Sequence, residues 1–121
     1  MIKLLLVDDE PAVLKGLQMR LAAEPDMTVI GEAADGETAL SLAPALLPDI
    51  VLMDFQLPRM DGIATTRALR AICPKVAVIM LTIHDSAAMQ TSAEKAGVAA
   101  FITKRASMQE LLATIRQMTA G

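Results

Sequence analysis

Five polar residues stand at one kind of place along this chain, each close behind an apolar run of strand length. Asp8 and Asp9 follow residues 2–7, Asp54 follows 50–53, Thr82 follows 76–81 and Lys104 comes just after 99–102. In an open parallel α/β sheet, ligands sit beyond the carboxyl ends of the strands, so these runs would bring three carboxylates, a hydroxyl and an ammonium to one edge. A single Asp after a strand reads more simply as a turn or a cap, and Asp9 or Glu10 could cap a helix opening at Pro11. Three carboxylates together repel one another and require a positive partner. Lys104 is one and a divalent metal is another. Oxygen-only donors with room for water and phosphate select Mg2+ rather than a caged Ca2+. In that setting Asp54, on a central strand, is placed to attack phosphorus and form an acyl phosphate. Thr82 and Lys104 would meet the other phosphoryl oxygens, leaving catalysis as positioning and electrostatics. Three carboxylates, Mg2+ and Lys104 sum to about zero charge, and a phosphoryl group takes the site to about −1.

Positioning these groups needs a regular scaffold, and the hydrophobic pattern supplies one. Strand-length runs at residues 2–7, 28–31, 50–53, 76–81 and 99–102 each precede an amphipathic stretch, which is βα repeated five times. The first, third and fourth runs are almost continuously apolar, as in parallel strands covered on both faces; the second is shorter and flanked by polar residues, like an edge. Helix starts are marked by Pro11, Asp35-Gly36, Asp61-Gly62 and Asp85-Ser86, and by a capping box over Ser107 to Glu110. Val13, Leu14, Leu17 and Leu21 form the buried stripe of the first helix, which Pro25 stops; Gly97 ends the fourth. In the fifth, Leu111, Leu112, Ile115 and Met118 recur at helical spacing.

Composition narrows the functions available. With 121 residues the chain makes one domain, 1–121, and the closing Thr119-Ala120-Gly121 reads like the start of a linker. It is 54% hydrophobic and 21% charged with a mean hydropathy of +0.46, which excludes a disordered tail. Its longest apolar run, 76–81, is too short to span a membrane, and no secretory signal is expected where residues 1–7 run straight into Asp8, Asp9 and Glu10. Eleven Lys plus Arg against fourteen Asp plus Glu give a net charge of −3, the wrong sign for a nucleic-acid surface. One Cys and one His exclude an internal disulfide and a Cys/His metal cluster, and suit a reducing cytoplasm. Cys73, ahead of Pro74, reads as half-buried filler, His84 as an exposed loop residue beside the pocket, and the nine Met as packing. With no Trp or Tyr and only Phe55 and Phe101, aromatic stacking on bases is unavailable.

The stretches Leu5-Leu6-Val7-Asp8-Asp9-Glu10, Asp49 through Gly62, Leu81-Thr82 and Phe101-Ile102-Thr103-Lys104 together resemble the receiver domain of two-component response regulators, over the whole chain. The resemblance implies a flavodoxin-like, doubly wound (βα)5 fold with a parallel sheet of order 2-1-3-4-5. It implies that a sensor histidine kinase phosphorylates Asp54, and that Asp9, Asp54 and the Gln56 carbonyl hold Mg2+ with Asp8 acting through water. Thr82 and Phe101 would be the switch pair, Lys104 the phosphoryl-sensing lysine, and the fourth helix, fifth strand and fifth helix the face that changes. Arg105 stands where many receivers carry a cis proline, and Ile83 is larger than the residue often found after the switch threonine. With Leu-Thr-Ile-His-Asp and the Lys-Arg pair, these lean toward the NarL/FixJ subset, whose LuxR-type helix-turn-helix lies outside these residues and would make any DNA contact.

Two other chemistries could use the same residues. A Mg2+-dependent phosphatase of the haloacid-dehalogenase kind needs a second Asp two residues after the nucleophile, where this chain has Gln56, so a slowly hydrolysed phosphoacceptor is expected rather than a turnover enzyme. A flavin module needs a hydroxyl- and glycine-rich phosphate loop, which Asp8-Asp9-Glu10 would repel. Met89 and Met108 beside Lys95, Glu110 and Arg116 suggest a homodimer face on the last two helices, the alternative being a monomer with ordinary surface methionines.

Overall fold

The computed structural model describes residues 1–83 and 86–119. His84, the Asp85 half of the fourth helix-start signal and the linker-like Ala120-Gly121 lie outside the described residues. Strands and helices alternate as β1 (Ile2–Val7), α1 (Pro11–Ala22), β2 (Met27–Ala33), α2 (Gly36–Leu46), β3 (Ile50–Asp54), α3 (Gly62–Ile72), β4 (Ala77–Thr82), α4 (Ala87–Ala96), β5 (Ala100–Thr103) and α5 (Met108–Thr119). All four strand pairings are parallel, and the order is β2-β1-β3-β4-β5. The expected (βα)5 fold and strand order are therefore observed.

The continuous apolar runs split by parity between two layers of core. Leu5, Val7, Val51, Met53, Val78 and Met80 join Ala39 and Ala43 of α2 and Leu69 of α3 on one face. Their neighbours Leu4, Leu6, Ile50, Leu52, Ile79 and Leu81 meet Leu21 of α1 and Leu111 and Ile115 of α5 on the other. A strand with period two can be apolar throughout only if both faces are covered, and that is what the alternation achieves.

Three strands run one residue beyond their apolar stretch. Asp54 pairs in register with Leu81, and Thr82 with Thr103, so polar side chains at these positions do not end the backbone ladder. The second strand is a correction: expected over 28–31, it spans seven residues, Met27–Ala33, the longest in the sheet. Its pairing with β1 jumps from Leu4↔Val29 to Leu5↔Gly31, leaving Ile30 as the extra residue of a bulge. The jump breaks the alternation that would have marked the full strand.

The helix starts follow their local chemistry. Asp35 Oδ1 accepts from Thr38 N at 2.7 Å, Asp61 Oδ1 from Ala64 N at 2.8 Å, Ser86 Oγ from Met89 N at 3.1 Å and Ser107 Oγ from Glu110 N at 3.1 Å. Pro11 opens α1, and Gly97, at φ 103°, closes α4 in the left-handed region that glycine tolerates.

Candidate functional site

At the carboxyl edge of the sheet the chain turns sharply out of β1 and exposes two of three successive acids. Asp8 is 3% exposed, while Asp9 and Glu10 face solvent. Asp8 Oδ1 accepts from Glu10 N at 2.9 Å, so the turn is closed by the buried carboxylate. Glu10 takes the N-cap position of α1 with no capping bond from its side chain. Instead, carboxylate oxygens of Asp8, Asp9 and Glu10 lie within 4.8 Å of one another, a cluster able to hold a metal ion. Glu10 thus belongs to the acidic mouth; the sequence had offered it only as a cap.

Asp54 closes β3 at the neighbouring position and is 6% exposed. Lys104, the first residue after β5, reaches across both: Nζ is 2.9 Å from Asp8 Oδ2 and 3.3 Å from Asp54 Oδ1. Its backbone N donates to Thr82 O at 2.8 Å, which fixes the lysine to the end of β4. Thr82 itself is buried at the end of β4. Asp8, Asp54, Thr82 and Lys104 are therefore gathered at one edge, with Asp9 at the mouth. Gln56 lies exposed in the loop after β3. Phe101 of β5 pairs with Met80 of β4 and packs, half-buried, against the core layer beneath α2 and α3.

Electrostatics follow from this packing. Burial pushes the Asp54 carboxyl above its ordinary value, the charge of Asp8 adds to the rise, and Lys104 offsets part of it. For Lys104, burial alone would lower the ammonium's pKa; the hydrogen bond to Asp8 and the charge of Asp54 outweigh it, and the net shift is upward. One ammonium shared by two buried carboxylates leaves the pocket short of positive charge. Its donors are all oxygens and suit a hard cation such as Mg2+, which would bring the missing charge.

Two further residues shape the site. A Cβ placed on Gly62 would come 2.2 Å from Asp54 O, so the first turn of α3 presses on the backbone of Asp54 itself. Gly62 N donates to Phe55 O at 2.7 Å, closing the intervening loop at its base. At its tip Arg59 adopts φ 68° and pairs with Asp35 and Glu37 of the α2 start. The sequence marks Asp61-Gly62 as a helix start, but nothing in it reveals the close approach. Arg59 carries no signal at all, because left-handed backbone is read from Gly or Asn.

Size alone would point elsewhere. A cavity of about 990 Å³ lies at the opposite edge of the sheet, lined by Met1, Pro44, Leu47, Ile72 and Met118 among others. Convergent charge decides the matter in favour of the acidic site, where Lys104 meets Asp8 and Asp54. On the suggested dimer face, Met89 and Met108 are half-buried, and Arg116 is engaged within its own chain by Glu24 at 2.7 Å and Asp26 at 2.9 Å. Among the described residues no helix is long and apolar enough to cross a membrane.

Fold and pocket define a flavodoxin-like α/β domain with an acidic, lysine-bridged site beyond its strands. Within that class, the chain belongs to the response regulator receiver domain family, whose model matches residues 4–116. It is 39% identical to the response regulator GacA of Pseudomonas aeruginosa over 121 residues, all of this chain and 56% of that protein. It superimposes on a LuxR-family two-component response regulator from an Aurantimonas species with a TM-score of 0.94, at 34% identity, covering 98% of this chain and 85% of the other. The receiver domain of the NarL regulator from Mycobacterium tuberculosis gives 0.93 at 31% identity, covering 99% and 97%. These relatives bear out the NarL/FixJ subset. The chain spans about half the length of the curated relatives it matches, 51–56% of those with the names GacA and DegU.

Proposed function

We propose that this domain is a phosphoacceptor switch in which Asp54 receives a phosphoryl group from a sensor histidine kinase. The observation that carries the reading is the buried Asp54 carboxylate at the end of β3, 3.3 Å from Lys104 and beside the equally buried Asp8. An Asp54 oxygen attacks phosphorus, the phosphorus–nitrogen bond to the donor's histidine breaks, and its electron pair remains on the imidazole. Mg2+, held by Asp9, Asp54 and the Gln56 carbonyl with Asp8 behind them, would neutralise charge on the phosphoryl oxygens. Lys104 is within reach of the same oxygens and would pass from carboxylate to phosphoryl partner. Thr82 would donate its hydroxyl to the phosphoryl group, and Phe101 would turn inward with it.

Because Thr82 O and Lys104 N are hydrogen-bonded, movement at the ends of β4 and β5 is coupled; the output surface would be the α4-β5-α5 face. A switch of this kind works only by the differential interaction of the phosphoryl group with two conformations. Output in the whole protein would be transcriptional, through a DNA-binding domain outside residues 1–121; relatives named as a LuxR-family response regulator and as a transcriptional regulatory protein support that output. Gln56 in place of an acid two residues after Asp54 favours a lasting phosphoryl state over turnover.

Intact-mass spectrometry after incubation with Mg2+ and a small acyl-phosphate donor tests the reading. One added phosphoryl group is expected, lost in Asp54→Ala and in a chelator-treated control. An adduct that persists in Asp54→Ala, or none in the wild type, overturns it.

A further inference from the structure

We infer that Arg59 is a positioning residue for the metal-bearing loop, acting as a clamp between that loop and the first turn of α2. The inference rests on the phosphoacceptor reading, in which Gln56 of the same loop is a magnesium ligand. Three observations converge on residue 59. Its φ of 68° lies in the left-handed region, which a side chain bearing a Cβ adopts at a cost. Met60 N donates to Pro58 O at 2.7 Å, so the chain reverses over Arg59 in a γ-turn of the strained, positive-φ kind. Such backbone persists only where its surroundings hold it.

What holds it is α2. Arg59 Nε donates to Glu37 Oε2 at 2.9 Å, and Nη2 stands 3.2 Å from Asp35 Oδ2. Asp35 is itself fixed as the cap of α2 by its bond from Thr38 N. The next residue docks on the same turn: a Cβ on Gly36 would meet Met60 Sδ at 3.1 Å. The loop is thus closed at its base by Gly62 N to Phe55 O and pinned at its tip by Arg59 and Met60, with Gln56 between the two anchor points. Losing the guanidinium releases the strained tip and lets the Gln56 backbone wander before the cation arrives.

The sign of the effect separates positioning from simple charge. Arg59 is a cation in the same loop as Gln56, so Coulomb repulsion alone predicts that removing it tightens Mg2+ binding. Positioning predicts the reverse.

The test is a Mg2+ titration of the wild type, Arg59→Ala, Arg59→Lys and Glu37→Ala, by calorimetry and by backbone amide shifts, with melting curves recorded without metal. Arg59→Ala should bind Mg2+ more weakly, by up to about fivefold, since two exposed ion pairs set the upper bound on what ordering the loop can contribute. Glu37→Ala should lose less, and Arg59→Lys should fall between wild type and Arg59→Ala because one ammonium cannot span both carboxylates as a guanidinium does. The largest shift differences should fall on residues 55–62. Binding by Arg59→Ala as tight as the wild type, or tighter, overturns the clamp while leaving the phosphoacceptor reading intact. A wild type that binds no Mg2+ but still accepts phosphoryl on Asp54 also overturns the clamp. Failure of both overturns the two together.

Discussion

Lys104 Nζ lies 2.9 Å from Asp8 Oδ2, across a separation of 96 residues in the chain, and this one contact ties the first loop of the sheet to the last. The side chain of Asp8 is 4% exposed and that of Lys104 20%, so water does little to replace either partner. Because the same ammonium serves Asp54, its loss would leave two buried carboxylates facing each other.

Replacing Lys104 by Met should therefore lower the melting temperature in metal-free buffer and raise the Asp54 carboxyl pKa further. Added Mg2+ should narrow the gap to wild type, since a divalent cation supplies the missing charge and no longer competes with the lysine. Thermal scans with and without Mg2+ check this; an equal gap under both conditions would show that the ammonium contributes packing rather than charge.

Two glycines should respond in opposite directions to the same substitution. Gly62→Ala forces a Cβ to 2.2 Å from Asp54 O, a backbone atom that cannot swing aside, and should cost about 1–3 kcal/mol together with much of the phosphoryl uptake. Gly16, inside α1 with nothing within 4 Å of the added carbon, should gain about 0.5–1 kcal/mol as Ala. Denaturant melts of the two variants decide it, and loss of stability at both positions would contradict the geometry.

Much of this arrangement is legible in the amino-acid sequence. A parallel strand buried on both faces must be apolar at successive positions, and runs such as Leu4-Leu5-Leu6-Val7 satisfy that so fully that strand number, centrality and the polar residues ending each strand could be read directly. The ends were less legible, because hydrophobicity marks burial and the ladder continues through Asp54, Thr82 and Thr103 regardless. The length of β2 was hidden by the bulge at Ile30. Glu10, Gly62 and Arg59 could not be placed at the site, since their roles depend on what lies across a loop: the Asp8 carboxylate, the Asp54 carbonyl and the α2 start respectively.

Leu47 offers a stability prediction away from the pocket. It closes α2 in the left-handed region, φ 53°, with 67% of its surface exposed. A leucine there pays for its Cβ and gains little from burial, so Leu47→Gly should stabilise the fold by up to about 1 kcal/mol. A lower denaturation midpoint would mean that its side chain contributes packing in the neighbouring apolar groove that outweighs the strain.

The raised pKa of Asp54 makes stability depend on pH with a definite sign. A carboxyl whose folded value lies above its unfolded value binds more protons in the native state, so its contribution is most favourable below the unfolded value and declines as pH climbs toward the folded one. Asp54→Asn removes that decline. The variant should melt above wild type at neutral pH, and the difference should vanish as pH falls below the ordinary carboxyl value of 3.8. Asp26, Asp35 and Glu37 are held below their ordinary values, first by Arg116, Thr38 and Arg59 respectively, and lose their stabilising contribution in acid. They are present in both proteins and cancel in the difference. Lys104, raised by its carboxylate partners, keeps its contribution through neutral pH and gives it up only on the alkaline side. Paired thermal scans across the acid range isolate Asp54: a difference that persists unchanged into strong acid would place the strain of this pocket in something other than the buried charge of its central carboxylate.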